Sequence, residues 1–273
     1  MGVGSGQHDR DQLNVGSSFG YTVMVNTHQR AQFRFYEELN DFLEPDKRKV
    51  AFDYPLQRRA SVKDIIEALG VPHTEVEVIL VNSISVEFNY IVENGDRVSV
   101  YPMFEGLDIR PLLKLRDTPL RQPRFVLDCH LGRLARYLRH LGFDTLYRND
   151  YADDQLAAIS ADEHRILLTR DRDLLKRRII SHGYWVRSHE PRKQLDEVLT
   201  RFDLYADINP FGRCTRCNGR VIAVDKQEIA DRLEPGTRRY YSEFWQCDSC
   251  GQIYWEGSHF KKLQRFIEAL CPP

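Results

Sequence analysis

The sequence predicts an α/β chain in three parts: a small mixed unit, a parallel sheet flanked by helices, and a short module stapled by cysteines. Three observations predict it. Between Gln32 and Pro102, apolar strands and helices follow one another in a small-domain order. From Arg124, short apolar strands alternate with helical stretches, the pattern of a parallel sheet with helices on both faces. Near the carboxyl end stand two Cys-x-x-Cys pairs, Cys214/Cys217 and Cys247/Cys250.

In the first part, Gln32–Phe35 alternates as a strand and Glu37–Leu43 reads as a helix. Lys49–Tyr54 is the second strand. Ser61 is an N-cap for Val62–Leu69, with Asp64 at the third helical position and Gly70 closing the helix. Val76–Asn82 is a third strand, and Asn94-Gly95 turns the chain into Val98–Tyr101. Strand, helix, strand and short strand in this order suggest a β-grasp fold.

The stretch from Asp108 to Pro123 is basic, contains three prolines and reads as a linker. In the second part, Phe125–Leu127 is a short strand. Leu131, Leu134, Leu138 and Leu141 then mark one face of a helix that Gly142 ends. Asp144–Tyr147 is the next strand, and Asp153 and Asp154 open a helix through Ile159. Arg165–Thr169 is a strongly apolar strand, followed by a basic helix from Asp173 to Arg178. Tyr184–Val186 and Lys193–Phe202 supply a last strand and helix.

The cysteine pairs each sit beside turn residues, Asn218-Gly219 and Gly251. Four thiolates in two such knuckles close tetrahedrally on one Zn²⁺ and leave no open position, so the metal is expected to be structural. The 29 residues between Cys217 and Cys247 suit a zinc ribbon with a long inserted hairpin. The remaining cysteines, Cys129 and Cys271, fit a reducing cytosol better than a disulfide framework. Cys129 reads as a packed thiol. No stretch approaches the run of about 20 apolar residues that a membrane helix needs.

A net charge of −1 hides an asymmetry. Residues 1–109 hold 10 Lys/Arg against 17 Asp/Glu, and residues 110–273 hold 29 against 23. The basic excess of the second half points to a polyanionic partner or to a solvated basic face.

Ligands of open parallel sheets bind beyond the carboxyl ends of the strands. Asp128 directly follows one strand, and Asp171 follows another within two residues, with Asp173 two residues on. Asp153 and Asp154 lie close to the end of a third strand. Carboxylates converging there select hard cations such as Mg²⁺ or Mn²⁺, the arrangement that phosphodiester hydrolysis uses. The plainer reading is that Asp153, Asp154 and Asp173 cap helices; Asp128 and Asp171 are harder to explain so. Arg133, Arg136 and Arg139 on the helix after Asp128, with Arg170, Arg172, Lys176, Arg177 and Arg178 around the Asp171/Asp173 pair, would grip a phosphate backbone. Surface ion pairs would explain the same arginines.

Read as strings, Arg124-Phe-Val-Leu-Asp-Cys-His-Leu-Gly-Arg-Leu-Ala-Arg-Tyr-Leu-Arg-His-Leu-Gly-Phe-Asp-Thr145, Arg165-Ile-Leu-Leu-Thr-Arg-Asp-Arg-Asp-Leu174, Asn209-Pro-Phe-Gly-Arg-Cys-Thr-Arg-Cys-Asn-Gly219 and the tail from Cys247 to His259 resemble the Mut-seven C-terminal RNase family. The first part, ending Asn94-Gly-Asp-Arg-Val-Ser-Val-Tyr-Pro102, is similar to the ubiquitin-like domain often fused to that nuclease. The resemblance implies a PIN-like Rossmannoid nuclease core and a zinc ribbon. It also implies metal-dependent ribonuclease activity, with Asp128, Asp171 and Asp173 on matching acidic positions, Asp154 rather than Asp153 at the second, and Thr169 at a small-hydroxyl position.

The expected organisation is a disordered or extended tail (1–28), a ubiquitin-like β-grasp domain (29–107), a basic linker (108–122), a PIN-like nuclease domain (123–208) and a zinc ribbon (209–273). The expected function is Mg²⁺- or Mn²⁺-dependent hydrolysis of RNA, in the cytoplasm, on RNA with single-stranded or tRNA-like regions. The ubiquitin-like domain would dock a protein partner. The rival readings are a non-catalytic RNA-binding adaptor and a structure-specific DNA nuclease.

Overall fold

A computed structural model describes residues 29–102, 115, 123–210, 212–257, 260, 262 and 265. The expected tail, the linker apart from Leu115, His259 and Cys271 lie outside the described residues.

The first unit is built on β1 (Arg30–Phe35), whose Ala31, Phe33 and Phe35 point inward while Arg30, Gln32 and Arg34 face out, the two-residue period of a half-buried strand. A tight 3-10 turn over Glu37–Phe42 follows, where the sequence suggested a helix. β2 (Phe52–Pro55) begins three residues later than expected, because Lys49 takes a left-handed φ of 60° that no strand continues. α1 (Val62–Ala68) has the expected cap: Ser61 Oγ accepts from Asp64 N at 3.1 Å, and Asp64 accepts from Ser61 N at 3.4 Å. A turn over His73–Glu75 delays β3 to Val78–Val81. β4 (Ile84–Ser85), too short to read from sequence, precedes β5 (Arg97–Tyr101). The sheet order is β2-β1-β5-β3-β4, with β1 and β5 parallel at the centre and the other pairs antiparallel.

The second unit runs β6 (Phe125–Leu127), α2 (Gly132–His140), β7 (Thr145–Tyr147), α3 (Asp153–Asp162), β8 (Ile166–Thr169), β9 (Gly183–Trp185) and α4 (Pro191–Arg201). Its sheet, β7-β6-β8-β9, is parallel throughout. Alternate strand residues serve opposite faces. Phe125, Leu127, Ile166 and Leu168 pack against the leucine stripe of α2 and against Leu195, Val198 and Leu199 of α4. Val126 and Leu167 pack on the other side with Leu156 and Ala157 of α3. The expected basic helix from Asp173 to Arg178 is only a 3-10 turn over Leu174–Lys176. Leu174 and Leu175 are both buried there, and a single short turn seats them.

The third unit pairs β10 (Val221–Val224) with β11 (Phe244–Cys247), and β11 with β12 (Ile253–Tyr254). The excursion between β10 and β11 carries α5 (Lys226–Ile229) and α6 (Pro235–Tyr240), so the inserted segment is helical and not a plain hairpin. Its first knuckle docks at the amino ends of the parallel strands. Asn218, at φ 70°, accepts from Thr145 N and donates to Asp144, each at 2.8 Å. Gly142, at φ 93°, passes so close to Asn209 that a Cβ would lie 2.2 Å from its carbonyl oxygen.

Candidate functional site

The carboxyl ends of β6 and β8 bring Asp128, Thr169 and Asp171 to one rim. Asp128 is buried, and its carboxylate accepts three hydrogen bonds: Oδ1 from His130 N at 2.8 Å, and Oδ2 from the Thr169 hydroxyl and from Arg170 N at 2.8 Å. Thr169 Oγ1 in turn accepts from Asp171 N at 2.9 Å. One hydroxyl therefore ties the two strand ends together. Asp171 Oδ1 accepts from Asp173 N at 2.8 Å and Leu174 N at 3.4 Å. Asp128 and Asp171 thus cap the short turns that follow them, a role their strand-end positions made harder to expect than for the other acids.

Asp153 and Asp154 occupy the first turn of α3, whose cap is instead Ala152 with Gln155 reaching back to its N–H at 3.0 Å. Both acids face Arg177, which bonds Asp154 and lies 4.0 Å from Asp153. Hydrogen bonding to Asp154 and the charges of Asp154, Asp153 and Asp171 hold the Arg177 guanidinium above its ordinary pKa. Arg177, expected from sequence among the cations around Asp171 and Asp173, is therefore the cation that links α3 to the Asp171 loop. Asp173 is exposed and paired with Lys176 at 3.0 Å.

The expected phosphate grips divide. Arg133 and Arg136 are exposed on α2. Arg139 is buried: Nε donates to Thr145 O at 2.8 Å, and Nη1 to the carbonyls of Thr215 and Arg216 at 3.4 and 3.3 Å. Burial, partly offset by nearby cysteine thiols, lowers its pKa. It fastens α2 to the cysteine knuckle and does not face solvent. Arg170 is half-buried and donates to Ser188 O at 2.7 Å beside His189. Arg172 lies over two aromatic rings. Cys129, expected to pack, is exposed.

The four cysteines are the one group among the described residues whose ligand atoms close to within 4.8 Å of one another. The cross-pair separations are 3.6 Å for Cys214–Cys250 and 3.4 Å for Cys217–Cys247. A tetrahedron with Zn–S bonds of about 2.3 Å has S–S edges of about 3.8 Å, so the donors fit zinc in type, number and spacing. Gly219 permits the approach: a Cβ there would lie 2.8 Å from Cys247 Sγ. Of the aromatics around this module, Phe244 is buried in its small core, Tyr241 and Trp255 pack on that core, and Tyr240 is exposed.

A family model described as the Mut7-C RNAse domain matches residues 123–267. A second, described as Mut7-C ubiquitin, matches residues 28–108. The comparisons with curated proteins and with solved structures returned no match. No helix among the described residues is long and apolar enough to cross a membrane.

Proposed function

Because the chain belongs to the Mut7-C RNAse domain family, we propose that it is a metal-dependent ribonuclease acting at the rim formed by Asp128, Asp171 and the start of α3. The observation that carries the reading is the Thr169 bridge, whose hydroxyl donates to the buried Asp128 carboxylate and accepts the backbone N–H of the exposed Asp171 beyond the end of the adjacent strand. Asp128, Asp154, Asp171 and Asp173 would hold Mg²⁺ or Mn²⁺, with Asp153 as a neighbour. Their hard oxygen donors suit such an ion, and Arg177 already sits as a cation beside Asp153, Asp154 and Asp171. A bound ion of this kind would supply an acidified water and neutralise charge on the departing oxygen.

The chain's own groups do the rest. Thr169 aims the Asp128 carboxylate by donating to it. Arg177 offsets repulsion between Asp154 and Asp171 until substrate phosphate competes for it. Arg133 and Arg136 offer exposed cations to the RNA backbone. Hydrolysis forms one P–O bond to water oxygen and breaks one to a ribose oxygen, which takes up a proton. The cysteine cluster would hold a structural Zn²⁺, the protein's site of action would be the cytoplasm, and the substrate would be RNA with single-stranded or tRNA-like regions.

The adaptor reading has one observation in its favour: every rim carboxylate caps a turn or pairs with a cation in this structure. Cleavage of end-labelled single-stranded and structured RNAs, with matched DNAs, in Mn²⁺, Mg²⁺ or EDTA separates the readings. A nuclease cleaves with metal and loses turnover but not affinity in Asp171→Asn. An adaptor binds equally in both forms and cleaves in neither, and preference for DNA would remove the RNA assignment.

A further inference from the structure

We propose that the amino-terminal β-grasp unit is a working part of the acidic rim, with Phe42 and Thr74 positioning the loop that carries Asp171 and Asp173. This rests on the ribonuclease reading above and goes beyond it, since it makes the first unit a component of the site and not a tethered docking module.

The loop is gripped at Arg172, the residue between the two acids. Its guanidinium carbon lies 3.8 Å from the Trp185 ring centre and 5.2 Å from that of Phe42. The two rings are themselves 5.2 Å apart, one from each unit. A cation held over two aromatic faces is attracted by both, and more strongly when water is excluded. The side chain that a sequence reading would send to RNA phosphate is instead an anchor for its own loop.

A second grip lies just past Asp173. Thr74 Oγ1 donates to Leu175 O at 3.4 Å, and His73 Nε2 lies 2.9 Å from Ile180 O. Glu75 accepts the Trp185 N–H at 2.5 Å. Gly183 makes room for this approach, since a Cβ there would meet Leu175 Cδ2 at 2.5 Å and Thr74 Cβ at 3.5 Å. The turn that presents Phe42 is fixed in turn by Arg187, which donates to Asp41 at 2.8 Å, and by Arg201, 3.2 Å from Glu38. The 170–176 segment is thus held from within by Asp128, Thr169 and Ser188, and from outside by the β-grasp unit.

Groups that orient metal-binding residues from behind change metal affinity or turnover by about 10- to 100-fold when removed. In the full-length protein, Phe42→Ala is therefore expected to lower kcat and raise the Mn²⁺ concentration for half-maximal cleavage by about 10-fold each, with KM for RNA little changed. Phe42→Tyr, which keeps a ring, is expected to restore both. Should Phe42→Ala not fold, Arg172→Ala breaks the same cation–ring pairing from the other side and is expected to give the same split. Wild-type kcat and Mn²⁺ dependence in a folded Phe42→Ala or Arg172→Ala variant would overturn the proposal while Asp171→Asn remained inactive. An inactive wild type, with Asp171→Asn indistinguishable from it, would instead remove the ribonuclease reading and this proposal with it.

Discussion

The Thr169 hydroxyl donates a hydrogen bond to the buried carboxylate of Asp128 and accepts one from the N–H of Asp171, at 2.9 Å, on the same oxygen. Thr169→Val keeps the shape and removes both bonds, leaving a buried carboxylate short of a donor. A cost of about 1–3 kcal/mol in unfolding free energy is expected, with kcat falling further than RNA affinity. Thr169→Ser should recover most of both. Denaturant unfolding beside single-turnover cleavage measures the pair, and an unchanged kcat in the valine variant would detach Thr169 from the site.

The arginines of α2 should separate by function. Arg133→Ala and Arg136→Ala remove exposed cations, so RNA affinity should fall and its salt dependence should flatten, by a slope of about 0.7 for each single-strand phosphate that is no longer neutralised. Arg139→Ala removes hydrogen bonds to three carbonyls beneath the surface. It should lower stability by about 2–3 kcal/mol and leave the salt slope alone. Titrations at several salt concentrations beside thermal melts distinguish the two patterns.

Removing the zinc proposed for the cysteine cluster should loosen more than the ribbon. The knuckle supplies Asn218 to Thr145 and Asp144, and carbonyls to Arg139. Cys250→Ser or a strong chelator should release one equivalent of metal and expose amides of β7 to hydrogen exchange as well as those of β10–β12. Exchange confined to residues beyond 212 would show that the knuckle does not brace the sheet.

Glu75 gives a pH dependence of definite sign. Burial, opposed by the charges of Arg187 and Arg201, pushes its carboxyl from 4.5 up to about 7. Its Oε2 has no hydrogen-bond partner among the described residues. The folded protein then holds a proton that the unfolded chain has lost, so stability falls as pH rises from about 4.5 to about 7 and is level above that. The full effect is on the order of 3 kcal/mol at 1.36 kcal/mol per unit. Glu75→Gln should flatten that slope in urea melts between pH 5 and 8. An unaltered slope would place the titrating group elsewhere.

Much of this architecture was legible in residue spacing. The leucines at 131, 134, 138 and 141 have the helical period, the cysteine pairs have ligand spacing, and Asp128 and Asp171 stand where apolar strands stop. What escaped was set by neighbours distant in sequence. Arg139 continues the polar series of Arg133 and Arg136, and only the knuckle about 75 residues later turns it into a buried donor. His73-Thr74-Glu75 lies between an expected helix and an expected strand, and all three residues are buried against the second unit. Phe42 looks like one more apolar residue of its own unit until Arg172 and Trp185 are seen beside it. The 3-10 turn after Asp173 replaces a helix because both of its leucines must face the same core.

A four-stranded parallel sheet offers two open margins, and open margins invite another chain to add a strand. Here each is plugged by an appended unit: Asn218 takes the Thr145 N–H on the β7 side, and Glu75 takes the Trp185 N–H on the β9 side. The flanking units therefore occupy backbone donors through which another chain could pair. Cut free of both, the central sheet would carry two adhesive seams into solution.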